Sequence, residues 1–205
     1  MGFRVSWIAR SGSSTHELLH VSGRMLSGER YEFPEVGWYL LELPSDEAPW
    51  VLLIADGSDN FAELSASHTQ SLSKGGNQTL YFWCSDTVMA TEMFAFKDGV
   101  EVWSIQYDCG DKMKQPAMNG DVPQIAQEIL KDLRTKQQED DGVDYIYDLT
   151  AELGRSLVGF RHDRDIEIDD PEPFQLLSEP SKQRHTWWQF WKRSAAEQKD
   201  EGERG

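Results

Sequence analysis

The stretch TVMATEMFAFKDGVEVWSIQYD, residues 87–108, decides the predicted fold. Two runs rich in β-branched and aromatic residues flank the pair Asp98-Gly99, which readily adopts the positive φ angles of a two-residue turn. The stretch therefore predicts a β-hairpin, and a loop of two residues also sets its register. The expected pairs are Lys97 with Val100, Ala95 with Val102, Phe94 with Trp103, Glu92 with Ile105 and Ala90 with Tyr107.

This register collects the large side chains on one face of the hairpin. Four aromatic rings lie there, and each contributes roughly 2 to 3 kcal/mol when fully buried, so other elements must cover the face. Glu92 is expected on the same face, where burial would raise the pKa of its carboxyl group. The predicted face consists of Val88, Ala90, Phe94, Phe96, Trp103, Ile105 and Tyr107.

Other segments predict further strands and a first helix. Residues 3–9, 38–43 and 50–55 have the apolar composition of strands. Ser14 and Glu17 form a capping box, which predicts a short helix after the first strand. The segments expected to be irregular are 28–34 and 111–120.

The last part of the fold predicts two helices. Pro123 is favourable in the first turn of a helix, and Asp148 begins a second helix that Gly159 ends. Strands followed by helices predict an α+β class: a mainly antiparallel sheet with the hairpin at its centre, packed by the C-terminal helices. Residues 1–177 are predicted to form a single domain. Residues 178–205 are predicted to be an aromatic and basic, then charged, tail.

The charge of the chain restricts its partners. Among 205 residues, 36 are acidic and 20 are basic, and the formal net charge is −16. Such a surface repels the phosphates of nucleic acids and attracts basic proteins. The sequence has no apolar run long enough to cross a membrane and no signal-peptide pattern, and Cys84 and Cys109 are expected to be reduced thiols. These features predict a cytoplasmic protein that does not bind nucleic acid.

Five segments carry a family resemblance: GFRVSWIA at 2–9, GERYEFPE at 28–35, GWYLLEL at 37–43, the hairpin at 87–108, and VDYIYDLTAELGRSLVGFRHD at 143–163. Together they resemble a family of small uncharacterised bacterial proteins. The resemblance covers most of the predicted domain and does not extend to the tail. It implies a single intracellular α+β domain, but it implies no activity, ligand or catalytic residue.

His16, Glu17 and His20 form an H-E-x-x-H motif in the first predicted helix. In zinc hydrolases this spacing places two imidazoles one helical turn apart to bind the metal, and the glutamate acts as general base. The third ligand expected after Gly23 would be Leu26, which cannot bind zinc. Helical periodicity also turns both histidines away from the apolar side of the helix, toward solvent. We therefore keep a zinc site as an alternative and not as the first prediction.

The segment after the last predicted helix is rich in charge. Carboxylates alternate along residues 163–169, but the pattern lacks the sharp-turn glycine and final glutamate of a calcium loop. It therefore favours a solvated acidic loop. Arg161, His162 and Asp163 precede this loop and predict a polar cluster with a structural, capping role at the base of the helix.

The tail has the clearest pattern outside the predicted core. Residues 181–193 contain four Lys or Arg residues, no acidic residue and four large aromatic rings. Such a segment is expected to dock on a groove of its own domain, on a second copy or on a partner protein, and the alternatives are contact with a membrane interface or a disordered end. The residues predicted to make this contact are Trp187, Trp188, Phe190, Trp191, Lys192 and Arg193.

Together these patterns predict a non-enzymatic, cytoplasmic protein-binding domain without a cofactor. The two candidate contact surfaces are the acidic region of the C-terminal helices and the aromatic, basic tail. Its acidity and size suit the sequestering or neutralising of a basic protein, by analogy with toxin–immunity pairs. Two alternatives remain open. One is a zinc-dependent hydrolase that uses His16, Glu17 and His20, and the other is a peripheral membrane protein attached through the tail.

Overall fold

The computed structural model describes residues 2–12, 15–45, 48–110, 115–140 and 142–180. The strands in these ranges are β1 Arg4–Ser11, β2 Met25–Tyr31, β3 Gly37–Leu43, β4 Trp50–Asp56, β5 Gln78–Ser85, β6 Ala90–Lys97, β7 Val100–Asp108, β8 Ala117–Gly120 and β9 Phe174–Ser178. The α-helices are α1 Thr15–Ser22, α2 Ala66–Leu72, α3 Gln124–Glu139 and α4 Leu149–Val158, and a 3-10 helix spans Tyr145–Asp148. No helix in the described ranges is long and apolar enough to cross a membrane.

The strands form one antiparallel sheet in the order β2-β9-β3-β4-β1-β5-β6-β7-β8. This sheet with its helices confirms the α+β class. β1 lies at the centre, and every residue between its two end residues is buried. The pair β6 and β7 lies seventh and eighth in the order, so the central position predicted for the hairpin is wrong.

Helices cover both faces of the sheet. On one face, the main core cluster joins sheet residues such as Trp7 and Phe82 to residues of α3, the 3-10 helix and α4. On the other face, a second cluster joins Leu53 of the sheet to Leu18 of α1 and Leu72 of α2. Each fully buried large apolar side chain contributes roughly 1.5 to 3 kcal/mol, so the two layers together stabilise the sheet.

α4 packs closely on the centre of the sheet because Gly154 has no side chain. A Cβ atom at this position would lie 3.0 Å from Cζ2 of Trp7. The Trp7 ring stacks on Phe82, with ring centroids 5.1 Å apart, and meets Phe160 edge-on at 6.2 Å. The position of α4 therefore depends on an aromatic group that faces a glycine.

The pairing of β6 with β7 begins as predicted and then shifts by one residue. Asp98 and Gly99 have φ angles of 52° and 80°, and Lys97 pairs with Val100. Beyond Phe96, however, Ala95 pairs with Trp103, because Val102 is an extra residue that forms a β-bulge. The register predicted beyond this bulge is wrong.

The bulge changes which face of β6 meets the main core. Side chains alternate between the two faces of a strand, so a shift of one residue exchanges them. Met93 and Ala95 pack with Trp103 in the main cluster, whereas Phe94 packs against the second cluster. Val88 is 60% exposed. The predicted interior face is therefore correct for β7 and wrong for β6.

Three strands occur where the sequence predicts none. β2 overlaps the segment predicted to be irregular, β8 lies within 115–120, and β9 ends at Ser178, one residue past the predicted domain boundary. β2 has no alternating pattern because six of its seven residues are exposed. β8 has only four residues, and β9 follows directly after Pro171 and Pro173.

Gly120, which pairs with Trp103 beside the bulge, is expected to tolerate no side chain. Its φ is +71°, and a Cβ atom would lie 2.1 Å from the carbonyl oxygen of Val102. Because that oxygen belongs to the backbone and accepts a hydrogen bond from Asp121, it cannot move freely. We expect Gly120→Ala to lower the free energy of unfolding by about 3 kcal/mol.

The matched control is Gly159→Ala. Gly159 has a similar φ of +79°, but a Cβ atom there would meet nothing within 4 Å. The control should therefore show only the strain of the left-handed conformation, about 1 to 2 kcal/mol. Urea denaturation measures both variants, and equal losses would contradict the close approach at Gly120.

Candidate functional site

The H-E-x-x-H motif lies on α1, which Leu18 fixes against the sheet. Leu18 is completely buried, whereas His16, Glu17 and His20 are exposed. The imidazoles therefore face solvent, as the helical periodicity predicts.

The carboxylate of Glu17 forms an ion pair with Arg10 of β1. Its predicted capping partner, Ser14, lies outside the described residues. Leu26, at the position of a third metal ligand, lies in β2. In the part of the chain that the structure describes, no three His, Cys, Asp or Glu side chains come together as a metal site.

The aromatic and basic residues of the tail lie outside the described residues. This applies to Trp187, Trp188, Phe190, Trp191, Lys192 and Arg193, so their predicted contacts stay predictions. The described chain ends at Pro180, two residues after β9.

Arg161 organises the segment that follows α4. Gly159 ends the helix in the left-handed conformation, and the side chain of Arg161 is only 4% exposed. Its guanidinium lies 2.6 Å from Asp163, 2.6 Å from Glu152 and 3.2 Å from Asp148. Burial acts to lower the pKa of Arg161, but the hydrogen bond to Asp163 and the three carboxylates outweigh it and raise the pKa. The segment is thus held by a buried charge with three partners.

His162 lies beside Cys84 of β5. Its Nε2 atom is 3.5 Å from the Cys84 Sγ atom, and its Nδ1 atom is buried without a hydrogen-bond partner. The ring meets Phe3 edge-on at 5.2 Å and lies 5.5 Å from the Phe82 ring. The imidazole is therefore surrounded mainly by aromatic rings.

Tyr147 and Asp86 extend this cluster. The Tyr147 hydroxyl donates to Oδ1 of Asp86 at 2.8 Å and also lies next to the Cys84 thiol. The backbone N–H of Phe3 donates to Oδ2 of Asp86, also at 2.8 Å. These contacts connect the 3-10 helix, the end of β5 and the start of β1.

A thiol beside an imidazole has the composition of a nucleophile and its base, but the surroundings favour the uncharged forms. Burial, aided by the charge of Asp86, raises the pKa of the Cys84 thiol to about 12. Burial also lowers the pKa of His162 to about 4. Transfer of the thiol proton to the imidazole is therefore unfavourable near neutral pH, which is the opposite of an activated cysteine.

Glu92 lies on the same side of β6 as Phe94 and Phe96, as predicted, but the bulge places this side on the face of the sheet opposite to that of Trp103. Its neighbours across the strands are Trp83 and Gln106, and the Gln106 side chain donates to its carboxylate at 3.4 Å. Burial raises the pKa of Glu92, although the hydrogen bond from Gln106 acts in the other direction. With Gln115 it lines an open depression of about 250 Å³. Its predicted place on one face with Trp103, Ile105 and Tyr107 is wrong.

The β2 end of the sheet is uncovered. β2 pairs only with β9, and its other edge has no neighbouring strand among the described residues. We call the exposed residues of 25–36 and 169–172 the β2 surface. Its exposed apolar side chains are Met25, Leu26, Phe33 and Val36, whose exposed fractions range from 41% to 76%.

The β2 surface is also acidic. Its two segments contain six acidic residues and one basic residue, Arg30. Arg30 forms an ion pair with Asp170, and its Nε donates to the carbonyl oxygen of Glu172 at 2.9 Å. This pairing attaches the acidic segment to β2 and leaves Glu32 and Glu35 exposed beside it. The result is a surface with apolar side chains and an excess of negative charge.

The His162 ring makes a specific prediction about pH. The unfolded chain binds a proton at this histidine near pH 6.5, whereas the folded chain binds it only near pH 4. Stability should therefore fall as the pH falls from 6.5 to 4, by roughly 2 to 3 kcal/mol from this group. We expect His162→Phe to reduce this fall, because phenylalanine fits among the rings and binds no proton. Urea denaturation at pH 7 and pH 4.5 measures it, and an unchanged pH dependence would contradict the prediction.

The two cysteines should react at very different rates with a thiol reagent. Cys84 is buried and Cys109 is half-buried. A pKa of about 12 lowers the thiolate fraction of Cys84 roughly a thousandfold relative to an ordinary cysteine. Alkylation of the native protein with iodoacetamide at pH 8, followed by peptide mass spectrometry, should label Cys109 first. A Cys109→Ser variant should react only after unfolding, and faster labelling of Cys84 would indicate an activated nucleophile instead.

Sequence reasoning missed the β2 surface. One available signal was the pair Met25-Leu26, and another was Phe33 with Val36, since both are apolar groups without the periodicity of a buried strand.

The chain matches no family model, no curated protein and no solved structure. The resemblance to small bacterial proteins therefore stays a prediction.

Proposed function

We propose that this chain is a non-enzymatic, cytoplasmic domain that binds a basic protein through the β2 surface, and so sequesters or neutralises that protein. The observation that carries the proposal is the exposed end of the sheet, where β2 and the loop after it expose apolar side chains together with Glu29, Glu32 and Glu35. The partner is defined by its chemistry, as a protein with a basic surface that also carries exposed apolar side chains.

Charge supports a basic partner. The excess of acidic residues at the β2 surface adds to the net charge of −16 of the whole chain. Such a field speeds the association of a basic protein and disfavours an acidic one. Because Arg30 is paired with Asp170, the one basic side chain of the surface does not oppose this attraction.

The exposed apolar side chains of the β2 surface support a stable complex with the partner, beyond the transient association that charge alone would give. Val36 is 76% exposed and Phe33 is 52% exposed, and they belong to the same short loop between β2 and β3. Exposed apolar side chains bordered by charges have the composition of a protein interface, in which buried apolar groups supply affinity and charged groups supply orientation. The exposed rings and aliphatic groups would lose contact with water in the complex.

Recognition is expected to use side chains more than backbone pairing. The pairing of β2 with β9 is irregular between Leu26 and Arg30, and Gly28 in this bulge has a φ of +90°. A bulge interrupts the row of backbone groups that an added strand would need. The partner should therefore bind across the acidic and apolar side chains.

The test is capture of basic proteins from cells that make this protein, with the full-length chain as bait. The variant Glu29→Lys/Glu32→Lys/Glu35→Lys reverses the charge of the β2 surface. The matched control Glu128→Lys/Asp132→Lys/Glu139→Lys makes the same change in net charge on the exposed side of α3. We expect the wild type and the control to capture the same basic protein and the β2 variant to lose it.

Titration calorimetry with the captured protein, once purified, then separates specific binding from general attraction. The β2 variant should raise the Kd by about tenfold or more, which corresponds to roughly 1.4 kcal/mol, while the control should raise it much less. Equal weakening by both variants would show that only the overall charge matters, and the proposal would then fail.

A further inference from the structure

The described chain ends beside the β2 surface. β9 runs antiparallel to β2, and its last residue, Ser178, pairs with Met25 at the start of β2. Glu179 and Pro180 follow and are both exposed. The next residues of the chain, 181–193, therefore start within a few residues of the exposed apolar side chains of β2.

The chemistry of residues 181–193 is complementary to that surface. The segment has four Lys or Arg residues and no acidic residue, whereas the β2 surface has six acidic residues and one basic residue. The segment also has four large aromatic side chains, and the surface exposes Met25, Leu26, Phe33 and Val36. Both charge and apolar character match.

The segment is long enough to cover the surface. The seven residues of β2 span about 23 Å. Thirteen residues span about 20 Å as a helix and about 43 Å when extended. A segment tethered through two residues also has an effective concentration on the order of millimolar at the surface where it begins.

We propose that residues 181–193 dock on the β2 surface of the same chain. Docking itself depends only on the surface and the segment. Its consequence rests on the proposed function: the segment competes with the basic partner, so the partner must displace it in order to bind. The apparent affinity for the partner is then reduced by the fraction of molecules in which the surface is occupied.

The experiment places a nitroxide spin label next to the segment in the full-length chain. The label is attached to Ser194→Cys in a Cys109→Ser background, in which the other thiol, Cys84, is buried. Amide signals of residues 25–36 and 169–172 should lose roughly half or more of their intensity relative to the reduced label. Signals of β8, the opposite edge of the sheet, should be unaffected and serve as the internal control.

Two further samples decide between the occupants. Isotope-labelled chain without a spin label, mixed with spin-labelled chain without isotopes, should show no loss at the β2 surface. A loss at the β2 surface in this mixture as well as in the original sample would mean that a second copy docks instead. The variant Trp187→Ser/Trp188→Ser/Trp191→Ser keeps every charge and should abolish the loss. Uniform signals in the original sample, or a loss at another surface, would overturn the inference.

The partner measurement keeps this inference separate from the proposed function. If the segment docks and competes, the tryptophan variant should bind the purified basic partner about threefold to tenfold more tightly than the wild type. If the wild type and the tryptophan variant bind the basic partner equally tightly, the proposed function is supported and the competition between segment and partner is overturned. If the spin label causes a loss at the β2 surface but the capture experiment finds no basic protein, docking is supported and the proposed function is overturned.

Discussion

The packing of Trp7 against Gly154 is the contact on which the rest of the structure depends. Trp7 lies in the central strand, stacked on Phe82, and the absence of a side chain at Gly154 lets α4 approach it closely. Because β1 is buried on both faces, any shift of α4 would expose apolar surface at the middle of the sheet. Gly159 ends the same helix, and Arg161 follows two residues later and pairs with Glu152 of α4. The position of these ion pairs therefore depends on the contact between Trp7 and Gly154.

Coverage of the sheet explains why one end of it is available for binding. α3 and α4 cover one face and α1 and α2 cover the other, with their contacts concentrated on the strands around β1. β2 lies at the end of the strand order, and its residues are exposed on both faces. The cluster at His162 and Cys84 lies inside this covered part of the fold, while the β2 surface, which we propose as the binding surface, lies outside it.

Local signals in the sequence predicted the local features of the fold. Gly159 ends α4, and Leu18 is the buried residue of α1. Both were predictable because each depends only on residues within or next to one helix. The register of β6 was not predictable in this way. The bulge at Val102 lies next to Gly120, which belongs to β8, a strand outside the hairpin that pairs with β7. β2 was missed for a similar reason. It becomes a strand by pairing with β9, far along the chain, and its exposed side chains carry no periodic pattern.

The central claim is that the β2 surface, and not the histidine motif on α1, is the functional part of this domain. The most direct measurement is the mapping of amide chemical-shift changes on the full-length chain during titration with the purified basic partner. The account predicts changes at residues 25–36 and 169–172, with His16 and His20 unaffected. Changes concentrated on α1, with none at the β2 surface, would contradict it.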